Sequence, residues 1–139
     1  MKAIKEVVVL LVDDRSDSFV VVGRLLEMAG LLPANIHWKS NAYFDTLDIA
    51  LLGSTIDVLF IDLSLPGGDD GYMLLTRLRR LAILQETRFV AITGHVSPEA
   101  VKRAREVGFD GFLSKPLDFR QFPVQLKRIL AGEAVWDTL

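Results

Sequence analysis

Three apolar runs without a polar break, at residues 7–12 (VVVLLV), 58–61 (VLFI) and 89–92 (FVAI), constrain this chain more than any other feature. They are continuous and rich in β-branched and aromatic residues, so strands formed by them must be covered on both faces, as in a parallel sheet. A weaker run around Phe112-Leu113 has the same character, whereas residues 36–39 alternate apolar and polar, as an edge strand with one wet face does. The longest run has six residues and meets Asp13-Asp14, too short for a membrane span or a secretory core. A soluble, cytoplasmic protein is expected.

Between the runs the period is helical. Phe19, Val22, Leu26 and Ala29 share a stripe that Gly30 closes, and Phe44, Leu47 and Leu51 mark a second helix ending near Gly53. Leu74, Leu78 and Leu81 mark a third, with Arg77, Arg79 and Arg80 off the stripe. The fourth has the clearest ends: Ser97 as cap, Pro98 at the first position, Val101, Ala104 and Val107 inward, and Gly108 as stop. The fifth has capping-box spacing at Asp118 and Gln121 and continues through Phe122, Leu126, Ile129 and Leu130. Pro123 would remove a bond inside it, which predicts a late start or a distorted first turn.

Strand and helix thus alternate five times, with crossovers that permit only parallel pairing. The expected fold is α/β, a (βα)5 flavodoxin-like doubly wound sheet of strand order 2-1-3-4-5 in a three-layer sandwich. With 139 residues, half of them hydrophobic, one domain over 1–131 is expected, and 132–139 reads as a tail or the start of a linker.

Charge and cysteine content narrow the chemistry. Sixteen Lys and Arg against 18 Asp and Glu, net −2, provide no global basic field for nucleic acid. The absence of cysteine removes disulfides, thiolate nucleophiles and cysteine-ligated metals. In open α/β sheets ligands bind beyond the carboxyl ends of the strands, which here are followed by or end in Asp13-Asp14, Asp62, Thr93 and Lys115-Pro116. Three carboxylates on one rim repel, and a proton or cation must relieve that. An oxygen-rich set without His or Cys favours Mg²⁺ or Mn²⁺ over zinc. With such an ion one carboxylate can attack phosphorus while the lysine and hydroxyl meet the transferred oxygens. The blander readings are helix-start or turn chemistry for the aspartates, a turn cap for Thr93 and a solvated charge for Lys115. Asp69-Asp70 sit in a Gly-rich turn and fit a capping role.

The stretches Leu11-Val-Asp-Asp-Arg15, Phe60-Ile-Asp-Leu-Ser-Leu-Pro66, Ala91-Ile-Thr-Gly94 and Ser114-Lys-Pro116 together resemble the response-regulator receiver domains of two-component signalling, which include the single-domain chemotaxis regulators. The resemblance spans about residues 7–130. It implies Asp62 as phosphoacceptor for a histidine kinase or phosphotransferase. It further implies Mg²⁺ bound by Asp14, by Asp62 and by the Ser64 backbone carbonyl, with Asp13 acting through water. Thr93 and Lys115 would contact the phosphoryl group. Ser64 and His95 hold positions that tune phosphoryl lifetime in this family, although His95 also reads as an ordinary exposed loop residue. Phe112 stands where the family has its aromatic switch, and reads equally as a core aromatic. As a switch it would turn inward from a more exposed position when Thr93 is drawn to the phosphate, reshaping the face of the fourth helix, fifth strand and fifth helix, where an output protein or domain would dock. No membrane partner is expected, and no enzyme activity beyond the domain's own phosphorylation and dephosphorylation. One departure is the loop from Asp62 to Gly71, a residue longer than usual through Gly67-Gly68-Asp69-Asp70.

Other readings are weaker on the residues. A haloacid-dehalogenase-type phosphatase needs a second Asp two positions after the first, where Ser64 stands. Flavin binding would want phosphate donors after the first strand instead of two aspartates. A receiver-like interaction module that takes no phosphate would have little use for the full acidic set.

Overall fold

The computed structural model describes residues 2–44, 56–65 and 71–136. Its regular elements are β1 (Val9–Val12), α1 (Ser16–Met28), β2 (Ile36–Lys39), β3 (Val58–Asp62), α2 (Gly71–Leu78), β4 (Arg88–Thr93), α3 (Pro98–Val107), β5 (Gly111–Ser114), α4 (Phe122–Leu130) and β6 (Val135–Trp136). The strands form one parallel sheet in the order β2-β1-β3-β4-β5-β6, a flavodoxin-like arrangement with a sixth strand added. The second helix expected from Phe44, Leu47 and Leu51 falls largely on residues 45–55, outside those described.

Alternation along the strands builds two cores from one sheet. Leu10, Val12, Leu59, Ile61, Phe89, Ala91 and Phe112 pack with Leu74, Leu75 and Leu78 of α2 and Ala104 of α3. Their neighbours Val9, Leu11, Val58, Phe60, Val90, Ile92 and Leu113 pack with Val22, Leu25 and Leu26 of α1 and with Phe122, Leu126 and Ile129 of α4. Both faces of β1, β3 and β4 are therefore covered, which is why their sequences are unbroken apolar runs. Each fully buried Val, Leu, Ile or Phe contributes about 1.5–3 kcal/mol against conformational entropy. Edge strand β2 is the exception, with His37 and Trp38 exposed.

The helix ends follow local chemistry. Gly30 and Gly108 take positive φ, 112° and 109°, and each closes its helix with a paired set of bonds: Leu31 N–H to Leu26 O with Gly30 N–H to Glu27 O, and Phe109 N–H to Ala104 O with Gly108 N–H to Arg105 O. α2 is shorter than its apolar stripe, since Leu81 lies past its end in a turn closed by Leu81 N–H to Leu78 O. α4 starts late, at Phe122, so that Pro123 falls in the first turn where a missing N–H costs nothing. Asp118 does not close a capping box with Gln121; its carboxylate accepts the Arg120 N–H at 2.8 Å in a turn before the helix.

The segment after Ala131 contributes structure that periodicity could not reveal. Gly132, at φ 88°, turns the chain back, and Val135 and Trp136 pair with Gly111 and Phe112. Two residues are too few to show a period, and Val135 is buried.

At the start of α3 the Ser97 hydroxyl accepts the Ala100 N–H at 3.1 Å. Ser97→Ala should cost about 1 kcal/mol of stability, read as a lower urea midpoint with unchanged slope.

Candidate acidic site at the carboxyl rim

β1 ends at Val12, and its parallel direction delivers Asp13 and Asp14 to the rim where β3 delivers Asp62. One carboxylate oxygen from each of the three lies within 4.8 Å of the others. Their environments differ. Asp13 is fully buried; its Oδ1 accepts the Arg15 N–H at 3.0 Å and its Oδ2 meets the Lys115 ammonium at 2.7 Å. Asp14 is exposed. Asp62 is 6% exposed, its Oδ1 accepting the Ser64 N–H at 3.0 Å and its Oδ2 standing 3.6 Å from Lys115 Nζ.

Burial is the chief influence on Asp62 and raises its carboxyl from the ordinary value. The Ser64 N–H and then Lys115 pull it back, while Asp13 and Asp14 push the same way as burial. Lys115 is held by three groups at once, Asp13, Asp62 and the Ser18 hydroxyl at 3.2 Å. It is placed by β5, whose continuation is fixed by Lys115 N–H to Thr93 O at 2.8 Å ahead of a cis Lys115–Pro116 bond.

Thr93 ends β4 with its side chain buried, and its Oγ accepts the His95 N–H at 3.1 Å. That is the turn-capping geometry of the bland reading, yet it uses a lone pair and leaves the hydroxyl proton for another acceptor. Ser64 and His95 are exposed beside the rim. Phe112 is 0% exposed, packed in the core shared with α2 and α3. The more exposed starting position expected for it is not the one observed; Phe112 lies within that core, and its register partner Trp136 of β6 packs against the same cluster.

Two contributors, Ser18 and Trp38, escaped the sequence reading. Ser18 lies on the first turns of α1 and faces the lysine. Trp38 donates its indole N–H to the Asp13 carbonyl at 2.7 Å and stacks on Phe19 with centroids 5.3 Å apart and planes 9° from parallel, so the edge strand tethers the acid-bearing loop. The large aromatic on a strand with a wet face was the signal available for it. Gly71 opens α2 where an added Cβ would fall 2.7 Å from the Asp62 carbonyl oxygen and 2.9 Å from Leu63 Cα. Only a residue without a side chain lets α2 begin against the end of β3.

The donor set fits a hard divalent cation: three carboxylates within reach of one another, with the lysine already engaged by Asp13. Asp14 and Asp62 are the carboxylates that remain available to such an ion.

A family model described as the response regulator receiver domain matches residues 9–127. The chain is 31% identical over 110 residues to the sensory/regulatory protein RpfC of Xanthomonas campestris pv. campestris, covering 78% of this chain and 14% of that protein. It is 27% identical over 110 residues to the osmosensing histidine protein kinase SLN1 of Saccharomyces cerevisiae, covering 78% of this chain and 9% of that one. The chain therefore spans a small part of these relatives. A crystal structure of a putative response regulator from Chloroflexus aurantiacus superposes with a TM-score of 0.75 at 24% identity, over 89% of this chain and 97% of that one.

The raised carboxyl of Asp62 has a consequence for stability. A group whose folded pKa lies above its unfolded value contributes stability that is present below the ordinary carboxylate range and lost as pH rises through the folded value. In metal-free buffer Asp62→Asn should therefore be more stable than the parent at pH 7, the gap closing as pH falls to the carboxylate range. Urea denaturation of both proteins across that range would show it, and a gap independent of pH would contradict it.

Proposed function

The chain belongs to the response-regulator receiver family, and from that premise we propose that it accepts a phosphoryl group on Asp62 from a histidine kinase or phosphotransferase. The observation that carries this is the division of labour on the rim. Asp13 is already hydrogen-bonded and ion-paired, Asp14 is solvated, and Asp62 stands buried with a lysine 3.6 Å away that can follow new negative charge. In the transfer an Asp62 oxygen bonds to phosphorus as the bond from phosphorus to the donor nitrogen breaks, its electron pair leaving with the imidazole. Lys115 pairs with the arriving oxygens, and Thr93 supplies its hydroxyl proton to one of them.

Mg²⁺ or Mn²⁺ would be held by Asp14, Asp62 and the Ser64 carbonyl, with Asp13 acting through water, and when bound it offsets charge on the transferring oxygens. Ser64, two residues past Asp62, and His95, two past Thr93, are the side chains we assign to tuning phosphoryl lifetime. The same residues give the domain its own phosphorylation and dephosphorylation chemistry and no other. The output face on this reading is made by α3, β5 and α4, with Thr93 and Phe112 linking it to the site. An output protein or domain is its partner, neither nucleic acid nor membrane is, and the cytoplasm is its setting. Among the described residues no helix is long and apolar enough to cross a membrane.

Incubation with Mg²⁺ and acetyl phosphate should add one phosphoryl group that survives mild acid and is lost in base, and Asp62→Asn should abolish it by mass spectrometry. Full labelling of that variant would move the acceptor elsewhere. Asp14→Ala should remove most Mg²⁺ binding, whereas Thr93→Ala should still accept the group but respond with small chemical-shift changes around Phe112 and α3.

A further inference from the structure

Phe112 and Trp136 are register partners on adjacent parallel strands, so their side chains leave the sheet on the same face. Phe112 has no exposure, and Trp136, half-buried, packs against the same core from the sheet edge. The Arg105 guanidinium of α3 lies 4.7 Å from the Trp136 ring centroid and covers its outer face. The indole thus stands at the sheet edge on the Phe112 side, packed against the core that holds Phe112 and with Arg105 of α3 over its ring.

The strand that brings this indole is short but built for the place. Gly132 reverses the chain at φ 88°, in a spot where a Cβ would lie 2.7 Å from Arg88 Nη2. Glu133 N–H bonds to Arg128 O at 2.9 Å, and the Glu133 carboxylate lies 3.5 Å from Arg128 Nε. Gly111 admits the strand, since a Cβ there would lie 3.0 Å from the Val135 carbonyl oxygen. Val135 is 4% exposed on the opposite core. Glu133 and Ala134 are exposed, so two side chains carry the docking.

We infer that Val135–Trp136 is a latch that holds Phe112 in its buried position, so that the α3–β5–α4 face changes shape by docking and undocking of β6. The geometry stands by itself; its signalling sense rests on the phosphoacceptor reading, in which buried Phe112 goes with phosphorylated Asp62. β5 joins the two, because Phe112 lies two residues before Ser114, the partner of Thr93, and Lys115 follows directly. Linkage is reciprocal, so whatever the latch adds to the affinity of the site, the occupied site adds to the docking of the latch.

Two variants loosen the latch from different sides: Trp136→Ala removes the indole, and Gly111→Ala crowds the Val135 carbonyl so that the β5–β6 pairing must shift by a few tenths of an ångström while the indole is kept. With a fluorine label on the Phe112 ring of the full chain, both should make the ring signal more sensitive to a soluble paramagnetic agent than in the parent. Unchanged protection in both would overturn the latch, whether or not Asp62 takes phosphate. With Mg²⁺ and beryllofluoride, amide exchange at residues 135 and 136 of the parent should slow roughly fivefold or more, and Trp136→Ala should weaken beryllofluoride binding by a similar factor. Bound beryllofluoride with unchanged exchange at those amides would also overturn it. A parent that binds no beryllofluoride and takes no phosphoryl group would count against the phosphoacceptor reading, with the paramagnetic comparison still deciding the latch.

Discussion

A carboxylate with no exposure cannot stay charged without a partner, and at Asp13 that partner is Lys115, 2.7 Å away and 102 residues along the chain. The pair joins the end of β1 to the end of β5 across the carboxyl ends of β3 and β4. To make it, β5 must lie where it does and the turn after it must point back over the rim. The backbone bond from Lys115 to the Thr93 carbonyl meets the second requirement. Because the ammonium also lies 3.6 Å from Asp62, the interaction that settles one buried acid leaves a cation beside another. Removing one member of such a pair leaves a buried charge unmatched, which costs far more than the pair itself contributes.

The sheet was legible because the physics that hides a strand on both faces leaves an unbroken apolar run, and residues 7–12, 58–61 and 89–92 have no other convincing reading. Alternation at residues 36–39 likewise marked an edge, and Ser97-Pro98 with Gly108 marked both ends of α3. The acids and the lysine could be expected on one rim because strand ends are easy to locate and parallel topology gathers them. What escaped notice depends on contacts between distant segments. The bond from Trp38 to the Asp13 carbonyl, the Ser18 hydroxyl at Lys115 and the pairing of β6 leave no period or spacing in the chain. Phe112 belongs with these: an aromatic three residues before a lysine has the same letter whether its neighbour on the sheet is solvent or an indole.

The two cores also divide the sheet's work. One set of alternate residues meets α2 and α3, the other meets α1 and α4, and each central strand contributes to both. A strand shift is therefore registered on both faces at once, whereas a change within one helix reaches the other layer only through the sheet. In β5 the division runs between neighbours, with Phe112 on one face and Leu113 on the other.

Gly71 has a further consequence for how the molecule tolerates change. Its N–H points to the Leu63 carbonyl at 3.4 Å, its Cα lies against the end of β3, and Leu65 before it is buried. The chain thus leaves β3 and returns to α2 at two anchored points, and neither anchor depends on the number of residues between them. Loop closure entropy grows only slowly with length. An added residue in that span can therefore be absorbed without moving Asp62 or the start of α2, so the length of the segment between them is free to diverge while the position of Asp62 is kept.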